Sequence, residues 1–222
     1  EILFYGIAAI LMGILVGALD ALFGEVLILI TQFRGQHIAL LLPFLAVAGL
    51  AIVYIYQKFG KNSSKGMGLI FSAGNRQDEE IPKRLIPLVI GGTWLTHLFG
   101  GSAGREGVAV QIGATVGYTF GKKLPFQDSK KILLVAGMAA GFAGLFQTPM
   151  AATFFALEVL MVGRIEYRAL FPAALSAFVA SYTSHFLGLE KFSVDLSVAV
   201  PVDLLFAGKV VLLGIVFRAV GG

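Results

Sequence analysis

The chain contains no cysteine and has few charged residues for its length. Only 14% of its 222 residues are Asp, Glu, Lys or Arg, whereas a soluble domain has about 25%. The missing cysteines exclude a disulfide scaffold, and the hydrophobic content of 57% excludes a disordered chain. A water-facing surface around this volume needs more charge than the sequence supplies. The composition therefore indicates an integral membrane protein.

Uncharged runs along the chain support this interpretation. A helix needs about 20 apolar residues to cross a bilayer, and most of these runs approach that length. The first two predict long apolar helices joined by a polar link at 31–37. The formal charge of +4 lies in basic clusters between the runs, without the interleaved aromatics of a nucleic-acid surface, so no nucleic-acid partner is expected. We expect one all-helical membrane domain over 1–222, embedded in a lipid bilayer, whose uncharged runs are 2–19, 38–57, 85–104, 132–157 and 169–189.

The apolar segments after residue 65 are short and interrupted. The segment 66–73 is about two helical turns, too short to span. Glycines at 100–107 break the stretch 85–121, and Gln147-Thr148-Pro149 breaks 132–160. Proline suits the first turn of a helix, so a new helix is predicted to begin at Pro149. Broken and re-entrant helices of this kind indicate an ion or substrate site.

Glycines also recur at four-residue spacing, which allows two helices to cross closely. We predict that these glycines pack helices of the same chain together, and a contact between subunits stays open as the alternative. The spacings are Gly13/Gly17, Gly113/Gly117/Gly121 and Gly137/Gly141.

The sequence Gly104-Arg105-Glu106-Gly107 places a carboxylate and a guanidinium at a glycine break, at the start of an uncharged helix. Adjacent residues diverge on a helix, so Arg105 and Glu106 are not expected to neutralise each other. Free N–H groups and the positive end of the dipole make a helix start attractive to anions. An ionised Glu106 can occupy that site and leave it when protonated, which makes it a candidate gate and proton carrier.

A second helix start is predicted at Gly66-Met67-Gly68. Methionine is a flexible filler of apolar gaps, so the residues alone favour a packing role for Met67.

Three motifs at 65–70, 101–113 and 148–158 resemble the N-terminal half of the CLC anion channels and transporters. They read Lys-Gly-x-Gly-Leu-Ile, Gly-Ser-x-Gly-Arg-Glu-Gly-x-x-Val-Gln-Ile-Gly and Thr-Pro-x-Ala-x-x-x-Phe-Ala-Leu-Glu. The resemblance implies a homodimer whose subunits are inverted repeats, of which this chain is the first. It implies gating and proton transfer by Glu106. The anion-binding residues that it implies are Gly66, Met67, Gly68, Gly104, Arg105, Gly107 and Val108.

Departures from the common chloride pattern refine the expectation. Met67 stands where chloride-selective members have serine, and Val108 stands where they have proline. Val159 stands at the inner glutamate of chloride/proton exchangers. Methionine beside an intact gating glutamate resembles the branch of bacterial fluoride/proton antiporters. We therefore expect fluoride export coupled to proton import across the bacterial inner membrane, with fluoride and protons as partners and no cofactor.

Two alternatives remain. Val159 also occurs in channels of the family, so a chloride-type channel or a chloride/proton exchanger stays open. The segment 100–104 fits Gly-x-Ser-x-Gly, so Ser102 with His185 is a remote candidate for an intramembrane serine protease dyad. We expect no enzyme, and no metal site, because the three histidines lack mutual spacing and acidic companions.

Overall fold

The computed structural model describes residues 1–76, 79–160, 163–191 and 203–221, and these residues form helices and turns without strands. The predicted all-helical architecture with broken helices is confirmed. Residues 1–191 form one compact unit, and residues 192–222 form a second. A single membrane domain over 1–222 stays a prediction. The helices are α1 (Ile2–Leu41), α2 (Leu45–Ile55), α3 (Met67–Arg76), α4 (Leu85–Leu98), α5 (Glu106–Gly121), α6 (Ser129–Phe146), α7 (Pro149–Val159), α8 (Leu170–Phe186) and α9 (Leu204–Gly221).

The predicted polar link at 31–37 is reduced to a kink at its last residue, His37. Helix α1 continues through it, and only His37 leaves helical geometry, with φ −126° and ψ 18°. Thr31 Oγ1 donates to the Leu27 carbonyl at 2.8 Å, and His37 Nδ1 lies 3.0 Å from the Phe33 carbonyl. These polar side chains find backbone partners four residues back, so polarity alone does not replace the helix by a loop over 31–37.

Among the residues that the structure describes, three helical stretches are long and apolar enough to cross a membrane: Ile2–Asn75, Ser129–Phe146 and Leu204–Gly221. Helix α1 exposes large apolar side chains such as Leu3 and Leu11 along one side. Helix α6 is surrounded by protein instead, and Leu133, Leu134 and Met138 on it are fully buried. The core therefore lies around α6, while α1 offers an apolar face suited to lipid.

Backbone contact between α5 and α6 explains the glycine spacing. A Cβ on Gly113 would collide with the Gly137 carbonyl, and a Cβ on Gly137 would collide with the Gly113 carbonyl. A Cβ on Gly17 would lie 2.5 Å from the Ala180 carbonyl oxygen of α8. The prediction of packing within one chain is confirmed, because only glycine lets these backbones approach so closely.

The break between α6 and α7 is supported by polar contacts. Gln147 adopts a left-handed conformation with φ 57°, and α7 then begins at Pro149 as predicted. Gln147 Nε2 donates to Ser184 Oγ at 2.7 Å, and Ser181 Oγ donates to Gln147 Oε1 at 3.0 Å. Neighbouring α8 thus satisfies the side-chain amide of Gln147 at the break.

Candidate anion-binding site

Helix α5 begins at Glu106, directly after the glycine-rich break that the sequence predicts. The backbone turns at Gly100, whose φ of 85° favours glycine. The first capping bond of α5 runs from the Ala109 N–H to the Arg105 carbonyl at 3.0 Å. The N–H groups of Gly107 and Val108 therefore have no acceptor within the helix and remain available at its positive end.

The Glu106 carboxylate folds back over Gly104. Its Oε2 atom lies 2.8 Å from the position that a Cβ on Gly104 would occupy, and the side chain is exposed. In the part of the chain that the structure describes, Glu106 forms no hydrogen bond and no ion pair with Arg105. The expectation that these neighbours do not neutralise each other is met. The absence of a side chain at Gly104 leaves space for this position of the carboxylate.

Helix α3 supplies the second helix N-terminus of the candidate site. Gly66 has φ +54°, and its N–H donates to the Ser63 carbonyl at 3.1 Å, which turns the chain into the helix. Leu69 and Ile70 of α3 are fully buried and hold it in the core. The N–H groups of Met67 and Gly68 lie in the first turn and have no partner within the helix.

The two helix starts meet. The Met67 Cγ atom lies 3.7 Å from the position of a Cβ on Gly107, and the Gln111 Nε2 atom lies 3.8 Å from that same position. The structure thus brings Gly66–Gly68 and 104–108 to one place, although residues 69–103 lie between them in the sequence. Two positive helix ends that converge produce a stronger anion site than either end alone.

Charged side chains near the site differ in their partners. Lys65 Nζ forms an ion pair with Glu79 Oε1 at 2.6 Å, so its charge is largely compensated. Arg105, beside the α5 start, has no such partner among the described residues. An uncompensated guanidinium adds to the attraction for an anion at this end of α5.

A cavity next to the two helix starts is lined by apolar and polar residues, some of which the sequence motifs do not single out. It has a volume of about 320 Å³ and is lined in part by Ser63, Gly66, Thr93, Val108 and Gln111. Gln111 belongs to the Val-Gln-Ile-Gly part of the motif at 101–113, and this is the only feature of the sequence that connects Gln111 with the site. Nothing in the sequence indicates that Ser63 is fully buried, because it lies in a polar loop.

The remaining candidate residues lie elsewhere. Val159 is the last residue of α7 and packs against the core, while Glu158 beside it is exposed. Ser102 is an exposed residue of the glycine break, and His185 lies in the last turn of α8. No hydrogen bond joins Ser102 to His185 within the described ranges, so the structure gives the protease alternative no support. Those ranges also contain no group of His, Asp and Glu able to hold a metal.

Comparison with known proteins gives consistent matches. A family model described as "voltage gated chloride channel" matches residues 48–222. A chloride/fluoride channel protein of Pseudomonas syringae pv. tomato is 39% identical over 95% of this chain and 47% of its own length. The crystal structure of a CLC-type fluoride/proton antiporter superposes with a TM-score of 0.88 and 49% identity. That match covers 98% of this chain and 55% of the antiporter.

A second solved structure shows the fold alone. A slow cyanobacterial chloride/proton antiporter superposes with a TM-score of 0.75 at 23% identity, over 98% of this chain and 55% of that one. The chain therefore spans about half the length of the relatives that it matches.

Proposed function

This chain belongs to the voltage-gated chloride channel family, and we propose that it carries the first repeat of a fluoride/proton antiporter. The observation that carries the proposal is the meeting of the α3 and α5 starts, with the unpartnered Glu106 carboxylate at the α5 end. The 49% identity to a CLC-type fluoride/proton antiporter supports fluoride as the anion.

The anion would be held by backbone N–H groups of Met67, Gly68, Gly107 and Val108, with Arg105 adding positive charge. Gly66 and Gly104 give the backbone room to approach. An ionised Glu106 competes with the anion, because a carboxylate at a helix N-terminus is stabilised by about 0.3–1 kcal/mol and by up to about 2 kcal/mol when partly buried.

Protonation of Glu106 removes that stabilisation. The neutral side chain then leaves the helix end, and the anion takes its place. A proton arriving from one side is thereby exchanged for an anion arriving from the other. Val159 stands where chloride/proton exchangers have an inner glutamate, and a valine cannot carry a proton. The proton must therefore travel on Glu106 itself or by another route.

Selectivity for fluoride over chloride follows in part from Met67. Its thioether stands where chloride-selective members have a serine hydroxyl, and the loss of that donor lowers the affinity of the site for chloride. The backbone N–H groups remain as close, strong donors for fluoride. Fluoride is small and strongly hydrated, so close donors matter more for it than for chloride.

The experiment is Glu106→Gln in proteoliposomes, with fluoride efflux and proton uptake recorded together. Glutamine keeps the shape of the side chain and cannot carry a proton, so proton-driven fluoride transport collapses while fluoride still binds. Intact stoichiometric exchange in Glu106→Gln contradicts the gating assignment. If fluoride efflux and proton uptake both survive in Glu106→Gln and vanish in Glu158→Gln, the proton carrier is Glu158.

A passive anion channel is the second candidate, and Val159 is the observation that favours it. The same recordings separate the two candidates, because a channel passes fluoride without proton uptake in the wild type. Its Glu106→Gln variant conducts with weaker dependence on pH.

We further propose that the protein acts as a homodimer in the bacterial inner membrane. Its subunit number in detergent, measured by light scattering with correction for bound detergent, tests this assembly. A monomer that transports at the wild-type rate contradicts it.

A further inference from the structure

Two residues that line the cavity beside the helix starts carry buried polar groups without partners. Neither Ser63 Oγ nor Gln111 Oε1 has a hydrogen bond among the described residues, and Ser63 is fully buried while Gln111 is 8% exposed. Leaving such a group unsatisfied costs about 1–3 kcal/mol. Both residues line the same cavity.

The chemistry of the two groups defines the guest. Gln111 Nε2 donates to the Gly107 carbonyl at 3.0 Å, which fixes Oε1 as the free acceptor. Ser63 Oγ–H is a free donor. A bare anion satisfies the hydroxyl but is repelled by the amide oxygen. Water donates and accepts, and a cavity of about 320 Å³ has room for several molecules.

The position of the cavity gives the water a function. Gly66 and Val108 line the cavity and also belong to the two helix starts. Gln111 further contacts the α5 start through its hydrogen bond to Gly107. A water held by Ser63 and Gln111 therefore lies beside the anion site.

We propose that Ser63 and Gln111 hold ordered water that completes the hydration of the anion at the α3 and α5 starts. This inference rests on the proposed function, since it assigns specificity to the same site. Water retained at the site lowers the cost of dehydrating the anion, and this saving is larger for fluoride than for chloride because fluoride is hydrated more strongly. Ser63 and Gln111 are thus positioning residues that act on the anion through water.

The first test measures hydration of the cavity without transport. The chain has no cysteine, so Ser63→Cys adds a single thiol to it, and a small water-soluble methanethiosulfonate is the probe. Ser176→Cys is the matched control, because Ser176 is also fully buried but donates to the Ala136 carbonyl at 2.8 Å. We expect labelling at Ser63→Cys to be at least about tenfold faster than at Ser176→Cys. Equal, slow labelling overturns the proposal.

The second test measures anion selectivity in proteoliposomes of the intact protein. Ser63→Ala and Gln111→Leu are expected to raise the fluoride concentration for half-maximal efflux roughly five- to tenfold. The value for chloride changes less, and Ser63→Thr, which keeps the hydroxyl, restores the wild-type value for fluoride. Ser176→Ala lowers thermal stability without changing the fluoride-to-chloride ratio.

Three results overturn the proposal in this second test. These are unchanged fluoride dependence in both Ser63→Ala and Gln111→Leu, equal losses for fluoride and chloride, or failure of Ser63→Thr to restore fluoride transport. Failure of the proposed function can be distinguished from failure of the water proposal. Intact exchange in Glu106→Gln refutes the gating role of Glu106, whereas the labelling rate of Ser63→Cys reports on water in the cavity independently of transport.

Discussion

Substitution of Gly137 by alanine tests the packing that holds α5 in place. The new methyl group would overlap the Gly113 carbonyl oxygen and lie 3.0 Å from the Gly117 Cα atom. Both obstacles are backbone, so no side chain can rotate away. The two helices must separate by roughly 1 Å, and gaps of about 0.5–1 Å already lose a quarter to a half of the contact energy.

The expected magnitude follows from two opposing effects. Overpacking a close interface costs about 1–3 kcal/mol. Alanine is favoured over glycine in a helix by about 0.5–1 kcal/mol, which offsets part of that cost. We take the upper part of the overpacking cost, because both obstacles are backbone and cannot rotate away. After the offset, we expect Gly137→Ala to lower the free energy of unfolding by about 1–2 kcal/mol.

The assay is thermal unfolding of the purified protein in detergent. Gly91→Ala is the matched control, since Gly91 lies within α4 and a Cβ there has no atom within 4 Å. That variant should match the wild type or gain up to about 1 kcal/mol. Equal stability of Gly137→Ala and the wild type would refute the reasoning. A further check is the double variant with Gly113→Ala, which should cost less than the sum of the single changes, because the first one already separates the helices.

Three further predictions concern the site and its surroundings. Gly104→Ala should keep thermal stability and change the pH dependence of fluoride efflux, because its Cβ displaces the Glu106 carboxylate, whose Oε2 atom lies 2.8 Å from that position; an unchanged pH profile counts against this position of the carboxylate. Met67→Ser should raise chloride efflux relative to fluoride, because it restores a hydroxyl donor; an unchanged ratio returns Met67 to a packing role. The hydrogen bond from Lys122 lowers the pKa of exposed Glu80, so the pair contributes stability above the unfolded pKa of about 4.3 that is lost as the pH falls through the lower folded value. Glu80→Gln should remove this acid-side loss in melts recorded between pH 7 and pH 3, and an identical pH dependence in the variant would contradict it.

Local features of the sequence were sufficient to predict the membrane class and the broken helices. Low charge and long uncharged runs leave burial in lipid as the stable solution. The breaks at 100–107 and at Pro149 were predictable because glycine permits backbone conformations that other residues avoid, and proline fixes φ at its own position. The predicted link at 31–37 is only a kink at His37, because polarity alone does not end a helix, and the Thr31 hydroxyl donates to the carbonyl one turn earlier.

Tertiary structure decided everything that depends on distant residues meeting. The sequence named Gly66–Gly68 and 104–108 as two helix starts, but their convergence follows from the packing of α3 and α5, which brings Met67 to Gly107. It also left open whether the glycine spacing joins helices or subunits, and the α5–α6 contact decided this in favour of one chain. Burial of Ser63 had no local signal, because the exposure of a loop residue is set by the elements that cover it. The sequence thus determines which groups have the chemistry to bind an anion, and the three-dimensional packing determines which of them share one site.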